Sequence, residues 1–467
     1  MDETRAQAYL QLIQTLLTCP KGEKQQILQA NSELLDRGFL QFCEVVAKKL
    51  AEVGQENHAN FLRNLARQLG QFLGMNEEGD SDNSEGENPQ EYAKFIRELL
   101  QAEAESRGDI KVIYPMLAGR QHLLNLRFAE FLQQVADHLI AEHPEAIESI
   151  LRDIEKLSID INKFPRGKRA NNIEIAITGY QIVLKNRQPG SEKYAGTQNN
   201  LAVAYRNRIS GSRADNLERA IAFYTATLEV YTRDVFPKEW GQMQHNLGAA
   251  YRNRIRGERA DNIEKAIAFY TATLSVHSRE AFPEYWAMTQ NNLAAAYTYR
   301  IRGEKAQNIE LAIAFYTATL EVYTRDAFPK EWGQMQNNLG IAYGKRIRGE
   351  RADNIERAIA FYTATLLVHT REAFPEYWAM TQNNLATAYL YRINGSRADN
   401  LELAIGFCDA ALTVYTLEDF PEYWATTQNN LALAYSDRIN GSRGDNLERA
   451  IEFYQACLLY TSPSPRD

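Results

Sequence analysis

The sequence lacks the features that mark membrane, secreted and nucleic-acid-binding proteins. No apolar run approaches the roughly 18 residues that a membrane span requires, and the first residues, MDETRAQAYL, are acidic where a secretory signal is basic and then apolar. Positive charge is not in excess, since 52 lysines and arginines face 60 aspartates and glutamates, for a net charge of −8. Such a chain presents no basic field to phosphate backbones. We therefore expect neither a membrane nor a nucleic acid among its partners.

Residues for redox, metal or catalytic chemistry are also scarce. The four cysteines lack the spacing of a zinc site or a disulfide framework, which suits a reducing cytoplasm; they are Cys19, Cys43, Cys408 and Cys457. His277 and His369 alternate with tyrosines at one repeat position, which favours buried rings with a hydrogen-bonding tip over catalysis. We expect no cofactor, no metal and no catalytic residue, and so no enzyme activity in this chain.

What the sequence does have is a repeat. Six leucines occupy the same place in a recurring phrase, each 46 residues after the one before: Leu201, Leu247, Leu293, Leu339, Leu385 and Leu431. The phrases FPKEWGQM and FPEYWAMT alternate, which gives a double unit of 92 residues, and all five tryptophans lie at one repeat position. A fixed period of this length is typical of repeat architectures.

Each unit is predicted to form two helices. The first begins at a Phe-Pro pair, as at Pro237, because proline suits the first helical position. The second is predicted to begin at an aspartate three residues before a glutamate, as at Asp261 and Glu264, which is the spacing of a capping box. Amphipathic helix pairs must stack to bury their apolar stripes. The predicted fold class is therefore all-α: N-terminal helical bundles, then an α-solenoid of helix pairs with a 46-residue period.

The repeat resembles the tetratricopeptide repeat (TPR) over roughly residues 166 to 456. The signature is carried in one unit by Trp332, Asn338, Leu339, Gly340, Tyr343, Ala358 and Tyr362. The usual period of 34 residues is stretched to 46, with a longer GERADN loop. The resemblance implies a solenoid that binds a protein segment in its concave groove.

The chain before the repeats is predicted to divide into three parts. Residues 1–75 are expected to form a helical bundle, residues 76–90 an acidic flexible linker, and residues 91–164 a second helical bundle before the solenoid of residues 165–456. Two fragments match across the linker, since Phe39, Phe42, Val46 and Ala47 keep the spacing of Phe128, Phe131, Val135 and Ala136. The arrangement resembles the N-terminal regions of large cyanobacterial TPR proteins, many of which end in a caspase-like CHAT peptidase or another signalling domain.

The end of the chain departs from the pattern. Residues 457–467, CLLYTSPSPRD, interrupt the last repeat where a polar cap would be expected. The string resembles the translation of a transposase adapter used in sequencing libraries. We therefore predict that it is not native, and that the natural gene continues after codon 456 with further 46-residue units.

A strip of polar residues beside the core stripe of each first helix is the candidate binding surface. At 100° per residue, Asn246 falls about 100° from the core position Leu247. One position of the strip is asparagine in every unit, namely Asn200, Asn246, Asn292, Asn338, Asn384 and Asn430. Another position varies from unit to unit, for example Asn253, Tyr299, Lys345 and Tyr391. In TPR folds the first helix of each pair lines the groove, so we expect these residues to face it.

The recurring asparagines have two interpretations. A carboxamide carries a donor and an acceptor, so it can hold the backbone of a bound segment while the varied neighbours contact its side chains. The kinesin light chain array, with a similar asparagine, is thought to grip peptides in this way. Alternatively, the asparagines bond to neighbouring repeats and form a structural ladder. The asparagine that precedes each of them, as at Asn291 and Asn337, is predicted to be solvated.

Two other recurring residue types are predicted to be structural. The arginines Arg208, Arg254, Arg300, Arg346, Arg392 and Arg438 are expected to form ion pairs with a loop acid. The tryptophans fall on the core stripe and are expected to pack between helices.

The predicted function is to bind a protein or peptide segment, as an adaptor or sensor. One alternative is that the chain is the regulatory part of a longer enzyme, with a peptidase or signalling NTPase as a downstream effector domain in the same polypeptide. Another is a self-associating architectural scaffold.

Overall fold

The computed structural model describes residues 3–18 and 89–461, together with isolated residues between 31 and 66. All regular secondary structure in these residues is helical, with no strand. The chain divides into two compact units, one of residues 1–87 with 465–467 and the other of residues 88–464. The predicted acidic linker lies outside the described residues except for its last two positions, which begin a helix. Residues 462–467 of the predicted non-native tail also lie outside them.

In the first unit, helix α1 (Glu3–Thr18) supplies one side of a small apolar core. Its Tyr9 ring lies 5.6 Å from the ring of Phe39 and 5.9 Å from that of Phe42. In the second unit, Phe128 and Phe131 show the same difference in burial as Phe39 and Phe42, the first ring buried and the second half-buried. Ala47 and Ala136 are both buried as well, whereas Val46 is half-buried where Val135 is buried, so the relation between the two fragments stays a prediction.

The second unit begins with a group of helices around one apolar core. These are α2 (Pro89–Ser106), α3 (Ile110–Gly119), α4 (Leu126–Glu142) and α5 (Ile147–Lys163). Phe95, Leu99 and Leu132 lie in this core, and Tyr92 stacks on Phe131 with ring centroids 5.2 Å apart. Helix α5 packs along the next helix, α6 (Arg169–Asn186), as the helices of each later pair do. The predicted boundary at 164/165 therefore falls inside a helix pair.

The helix pairs that follow form an α-solenoid, which confirms the predicted fold class. The first helices of the pairs are α7 (Glu192–Asn207), α9 (Pro237–Arg252), α11 (Pro283–Thr298), α13 (Pro329–Gly344), α15 (Pro375–Leu390) and α17 (Pro421–Asp437). The second helices are α8 (Arg213–Thr227), α10 (Arg259–Leu274), α12 (Lys305–Thr319), α14 (Arg351–Thr365), α16 (Arg397–Leu412) and α18 (Arg443–Thr461). From α9 onwards, the first helices begin at the predicted prolines.

The start of the second helices differs from the prediction. Helix α10 begins at Arg259, so Asp261 lies in its first turn and is not the cap. In α8 the cap is Ser212, whose hydroxyl accepts from the backbone N–H of Asp215 at 3.3 Å. The predicted capping box is wrong because the loop turns earlier, at glycines such as Gly257 with a φ of 76°. That conformation favours glycine.

A buried asparagine in each second helix holds the long loop in place. Asn262 Nδ2 donates to the backbone oxygen of Arg256 at 2.9 Å, and Asn308 Nδ2 donates to that of Arg302 at the same distance. The loop carbonyls therefore have partners although the loop is longer than in the usual repeat. This contact explains how the 46-residue unit keeps a compact helix pair.

Helix α18 continues past the predicted end of native sequence at residue 456. It reaches Thr461, and Cys457 Sγ lies 3.1 Å from the backbone oxygen of Ala425. In an earlier unit Thr273 donates from the same repeat position to the backbone oxygen of Gly241 at 3.2 Å. Cys457 thus occupies a repeat-like position, and the origin of residues 457–467 stays a prediction.

Candidate ligand cleft and asparagine ladder

The recurring asparagines connect neighbouring units. In four units the Nδ2 atom donates to the Oδ1 atom of an asparagine 47 residues earlier: Asn246 to Asn199 (3.2 Å), Asn338 to Asn291 (3.0 Å), Asn384 to Asn337 (2.9 Å) and Asn430 to Asn383 (2.9 Å). The prediction that the preceding asparagine is solvated is wrong, since Asn337 is only 1% exposed. Stacking turns that side of each first helix toward the next one. We call this set of bonds the asparagine ladder.

Histidine replaces the acceptor asparagine at one place in the ladder. His245 Nε2 lies 3.3 Å from Asn292 Nδ2, and His245 Nδ1 lies 3.0 Å from the hydroxyl of Thr289. That hydroxyl donates to the backbone oxygen of Tyr285, so it accepts from Nδ1–H while Nε2 accepts from Asn292. Burial, with the nearby charge of Arg206, lowers the pKa of His245 to about 3. The neutral ring therefore completes the ladder.

The ladder ends on a carboxylate in α5. Asn200 Nδ2 lies 3.3 Å from Glu155 Oε1, which also accepts from the hydroxyl of Thr197 at 2.8 Å. The other oxygen of Glu155 pairs with Arg187 at 2.7 Å. Glu155 thus takes the acceptor place that asparagine or histidine holds in later units.

The ladder does not use the whole carboxamide. Each bond takes one N–H of the donor, which has a second N–H and a carbonyl oxygen. The oxygen of Asn292 accepts from Arg252 Nη1 at 3.4 Å, and Asn384 lines a cleft. The structural role therefore leaves polar atoms that a ligand could use.

This cleft has a volume of about 230 Å³ and lies between the C-terminal ends of α13 and α15 and the face of α14 that runs from Arg351 to Tyr362. Its apolar lining consists of Ile341, Ile355, Ala358, Tyr362 and Ala388, and its polar lining of Lys345, Arg351, Asn384, Thr387 and Tyr391, with Gly344 between them. The structure thus brings together three of the residues predicted for the groove: Lys345 directly after α13, Asn384 in α15 and Tyr391 directly after α15. Arg351 was not predicted, because its repeated phrase looks like part of a helix start.

The charged groups of the cleft are basic. Lys345 and Arg351 lie in its lining, which contains no acidic residue. Arg351 Nη1 donates to the backbone oxygen of Gly344 at 2.5 Å, which fixes the guanidinium beside the cleft. Lys345 Nζ lies 4.1 Å from the ring centre of Tyr299, which belongs to the preceding unit. An anionic group would meet two cations here.

The varied strip position is exposed in the units around the cleft. Tyr299 is 56% exposed and Tyr391 is 58% exposed, although both are large aromatic residues. Asn253 is also exposed, at the C-terminal end of α9. Exposed tyrosines are typical of contact residues at protein interfaces.

The recurring arginines form the predicted ion pairs, with a partner different from the one expected. Each pairs through two hydrogen bonds with a glutamate of the preceding second helix: Arg208 with Glu174, Arg254 with Glu218, Arg300 with Glu264, Arg346 with Glu310, Arg392 with Glu356 and Arg438 with Glu402. The hydrogen bond from Arg300 holds the pKa of Glu264 below its ordinary value. Each of these carboxylates accepts hydrogen bonds from the arginine of the next unit and is therefore not free to cap its own helix.

The tryptophans are less buried than predicted. All five are half-buried in the first turn of a first helix. Three have an arginine over the ring, with Arg233 5.6 Å from Trp240, Arg325 5.8 Å from Trp332 and Arg371 5.7 Å from Trp378. In each case the arginine comes from the loop that precedes the first helix.

The recurring histidines are buried rings, as expected. His277 and His369 are both buried, and His369 Nε2 lies 2.9 Å from the backbone oxygen of Lys330. Tyr323, at the same repeat position, donates to the backbone oxygen of Glu284 at 3.1 Å. Across the described ranges, no group of three or more His, Cys, Asp or Glu could hold a metal ion. No helix in that part of the chain is long and apolar enough to cross a membrane.

The helix pairs, their stacking and the cleft define a TPR-like repeat array. No protein-family model matches the chain, and no curated protein does. Among solved structures, the chain is similar to a signal transduction ATPase with numerous domains (STAND) that carries a tetratricopeptide repeat sensor, from Pyrococcus horikoshii. The two are 15% identical with a TM-score of 0.47, and the match covers 85% of this chain and 56% of that one.

A second solved structure is a circular tandem repeat protein with a novel repeat topology. It is 13% identical with a TM-score of 0.19, and the match covers 98% of this chain and 96% of that one. Because the first match covers 56% of the STAND protein, the chain spans little more than half of that protein's length. Both similarities are at low identity.

Proposed function

We propose that this chain is a binding module that holds an extended segment of another protein in the cleft between α13 and α15. The observation that carries the proposal is the cleft itself, which joins an apolar floor to Lys345, Arg351 and Asn384. It combines apolar lining with a few converging polar groups, as binding sites commonly do. No catalysis is part of the proposal.

The chemistry of the cleft favours a segment with a carboxylate beside an apolar side chain. Lys345 and Arg351 would pair with the carboxylate, and the floor at Ile355 and Tyr362 would take the apolar side chain. The Asn384 carboxamide would bond to the segment's backbone, because it offers both a donor and an acceptor. The exposed ring of Tyr391 would cover the segment from solvent.

The rest of the strip would extend the contact along neighbouring units. Tyr299 lies next to Lys345, and the ladder asparagines continue the polar surface toward α9. We place the module in the cytoplasm because its cysteines are few and scattered. The strip residues of several neighbouring units could thus hold a segment of several residues.

The experiment starts from a phage-displayed library of random peptides selected on the intact chain. We expect enriched peptides to carry an aspartate or glutamate next to a large apolar residue. Lys345→Ala and Tyr391→Ala should each weaken a selected peptide about tenfold, or about 1.4 kcal/mol. Fluorescence anisotropy with labelled peptide measures the loss.

The matched control is Leu367→Ser, because Leu367 is also exposed and lies outside the cleft lining. This variant should bind the selected peptides as the parent does. All three variants should melt like the parent, since the altered side chains are exposed. Peptides that bind the Lys345 and Tyr391 variants unchanged would contradict the proposal.

A further inference from the structure

Two neighbouring first helices carry an arginine at a position where the later units do not. Arg206 lies in the last turn of α7 and Arg252 in the last turn of α9, and both are half-buried. Stacking of the units does not depend on an arginine at this position, because the later units have Thr298, Gly344, Leu390 and Ser436 there.

Neither of these two arginines has an acidic partner. The recurring arginines that follow them pair with glutamate, as Arg254 does with Glu218, whereas no ion pair in the described part of the chain includes Arg206 or Arg252. Arg252 Nη1 donates to Asn292 Oδ1 at 3.4 Å, which is a bond to a neutral group of α11. A guanidinium carries five N–H donors, so both groups keep donors for a further acceptor.

The arginines lie near two buried tyrosine hydroxyls. Tyr224 of α8 and Tyr270 of α10 are each 0% exposed, and neither hydroxyl has a hydrogen-bond partner among the described residues. Burial raises the pKa of Tyr224 to about 12, and the charge of Arg206 acts in the opposite direction. Burial also raises the pKa of Tyr270 to about 12, against the charges of Arg252 and Arg206. Both cations are therefore close enough to act on these rings.

Later units show that this tyrosine faces this position of the first helix. The side chain of Tyr316 forms a hydrogen bond with Thr298, which stands where α9 has Arg252. Tyr362 and Gly344, at the same two positions, line the ligand cleft together. The two arginines thus occupy the region that corresponds to the ligand cleft in the earlier units.

The groups that meet in this region are donors and cations. Burial and the charges of Arg206 and Arg252 lower the pKa of His245 to about 3, so its ring is neutral. No aspartate or glutamate of the described residues shifts the pKa of His245, Tyr224 or Tyr270. Two guanidinium groups and two hydroxyls therefore converge without an anion of the protein, and a ligand with several acceptor oxygens matches them.

We propose that Arg206 and Arg252 bind a phosphate monoester, which the bound protein segment carries as a phosphorylated serine or threonine. The inference rests on the proposed function and adds a second subsite to the ligand cleft. A phosphate monoester has three acceptor oxygens and a charge of about −1.5 to −2 at neutral pH. Guanidinium groups bind phosphate through paired hydrogen bonds, and the hydroxyls of Tyr224 and Tyr270 donate to the remaining oxygen. A carboxylate has one oxygen fewer and less charge, so it would leave donors of the subsite unused.

The place of the subsite predicts where the phosphate lies in the segment. Arg252 contacts α11, and the ligand cleft lies between α13 and α15, two units further along. Helices that pack side by side are about 10 Å apart, and an extended chain advances about 3.3 Å per residue. The phosphorylated residue should therefore lie about six residues from the acidic and apolar pair in the cleft.

The first experiment uses small molecules and so does not depend on the segment. Phenyl phosphate should raise the melting temperature of the intact chain, and benzoate at the same concentration should not. The double variant Arg206→Thr with Arg252→Thr should lose this shift. Threonine is the residue that the chain itself has at this repeat position in Thr298, so the fold should accept it.

Two control variants each remove one positive charge elsewhere in the array. Arg348→Gln changes an exposed arginine that bonds to the neutral Gln307 at 3.1 Å, and Lys345→Ala changes the ligand cleft. Both should keep the shift with phenyl phosphate. Loss of the shift in either control would show that phosphate binds elsewhere or through net charge alone, and would overturn the subsite.

The second experiment uses a peptide selected for the ligand cleft. It is synthesised with phosphoserine, serine or aspartate about six residues from the acidic and apolar pair. Phosphoserine should tighten binding at least about tenfold relative to serine, and aspartate should give a smaller gain. Arg206→Thr and Arg252→Thr should each remove most of the gain and leave binding of the serine peptide unchanged. Tyr270→Phe should reduce the gain without lowering the melting temperature, because its hydroxyl has no protein partner to lose.

The outcomes separate the subsite from the proposed function. A phosphoserine gain that survives both arginine substitutions would overturn the subsite, and so would an equal gain with aspartate. Peptides that bind without any gain from phosphate would overturn the subsite and leave the proposed function standing. An arginine-dependent shift with phenyl phosphate, together with peptides that do not bind, would overturn the assignment of the phosphate to a protein segment and the proposed function with it.

Discussion

Removal of the ion pair between Arg300 and Glu264 is expected to loosen the junction between α10 and α11. Two parallel bonds join the guanidinium to the carboxylate, at 2.8 and 2.7 Å, and each side chain is 26% exposed. A hydrogen bond to a charged group contributes about 1.5 to 3 kcal/mol, and an exposed ion pair only about 0.2 to 1 kcal/mol. Since this pair is partly buried and bidentate, we expect a coupling free energy of about 2 kcal/mol.

The assay is a double-mutant cycle of Arg300→Met and Glu264→Gln, followed by urea unfolding and circular dichroism. In Glu264→Gln the guanidinium keeps Asn308 Oδ1 at 3.3 Å and the ring of Tyr297 at 5.5 Å, so it does not lose all of its contacts. The cycle therefore gives the coupling free energy of the ion pair without the cost of leaving one charged partner unpaired.

A matched control lies two residues further along the same loop. Arg302 pairs with Asp261 across the same junction, with side chains 57% and 50% exposed. The cycle of Arg302→Met and Asp261→Asn should give a coupling below about 0.5 kcal/mol. Equal couplings for the two pairs, or less than about 0.5 kcal/mol for Arg300 with Glu264, would refute the argument from burial and geometry.

Three further predictions concern other parts of the chain. Burial and a neighbouring aspartate raise the pKa of Glu103 to about 8 from 4.5; the folded state then holds a proton that the unfolded state releases, so stability falls as the pH rises between these values. Glu103→Gln should abolish this loss, which is measured as the fall in urea midpoint from about pH 5 to about pH 9. The same fall in the variant as in the parent would contradict the prediction. Gly179→Ala should cost about 1 to 3 kcal/mol, because the added Cβ would overlap Ser158 Oγ. The control Gly406→Ala, with open space around it, should stabilise by about 0.5 to 1 kcal/mol, and similar thermal shifts for the two would be the wrong result. Trp332→Ala should cost about 2 kcal/mol, below the 3 to 5 kcal/mol for a fully buried ring, and a parent-like melting curve would show that the half-buried ring contributes nothing.

The period and the helix pairs could be predicted because each depends on residues close in sequence. The Phe-Pro starts, the apolar stripes and the glycine turns are local signals, and they recur every 46 residues. The predicted solenoid follows from them, since a lone pair leaves its stripe exposed. The ion pairs of the arginines could be predicted in kind, because the arginines recur at one repeat position, but their partners could not.

The partners across each junction could not be predicted, because they depend on how one unit lies on the next. Glu264 has the spacing of a helix cap, yet it reaches an arginine 36 residues later. The helical angle predicts that Asn337 faces solvent, yet α15 covers it and Asn384 donates to it. A helical angle defines a side chain's direction but not the element that meets it. The cleft was found only in part for the same reason, since Arg351 lies on a different helix from the predicted strip.

The most direct test of the ligand cleft is hydrogen exchange of the intact chain with and without a selected peptide. The account predicts slower exchange at the C-terminal ends of α13 and α15, around Lys345 and Asn384, with little change in α2 to α4. The triple variant Asn292→Ala, Asn338→Ala and Asn384→Ala distinguishes the two roles of the asparagines. We expect it to lose this protection as well as some stability. A loss of stability with unchanged protection by the peptide would assign the asparagines to the ladder alone. Protection confined to the N-terminal helices or to α18, or no protection anywhere, would contradict the claim that this cleft binds a protein segment.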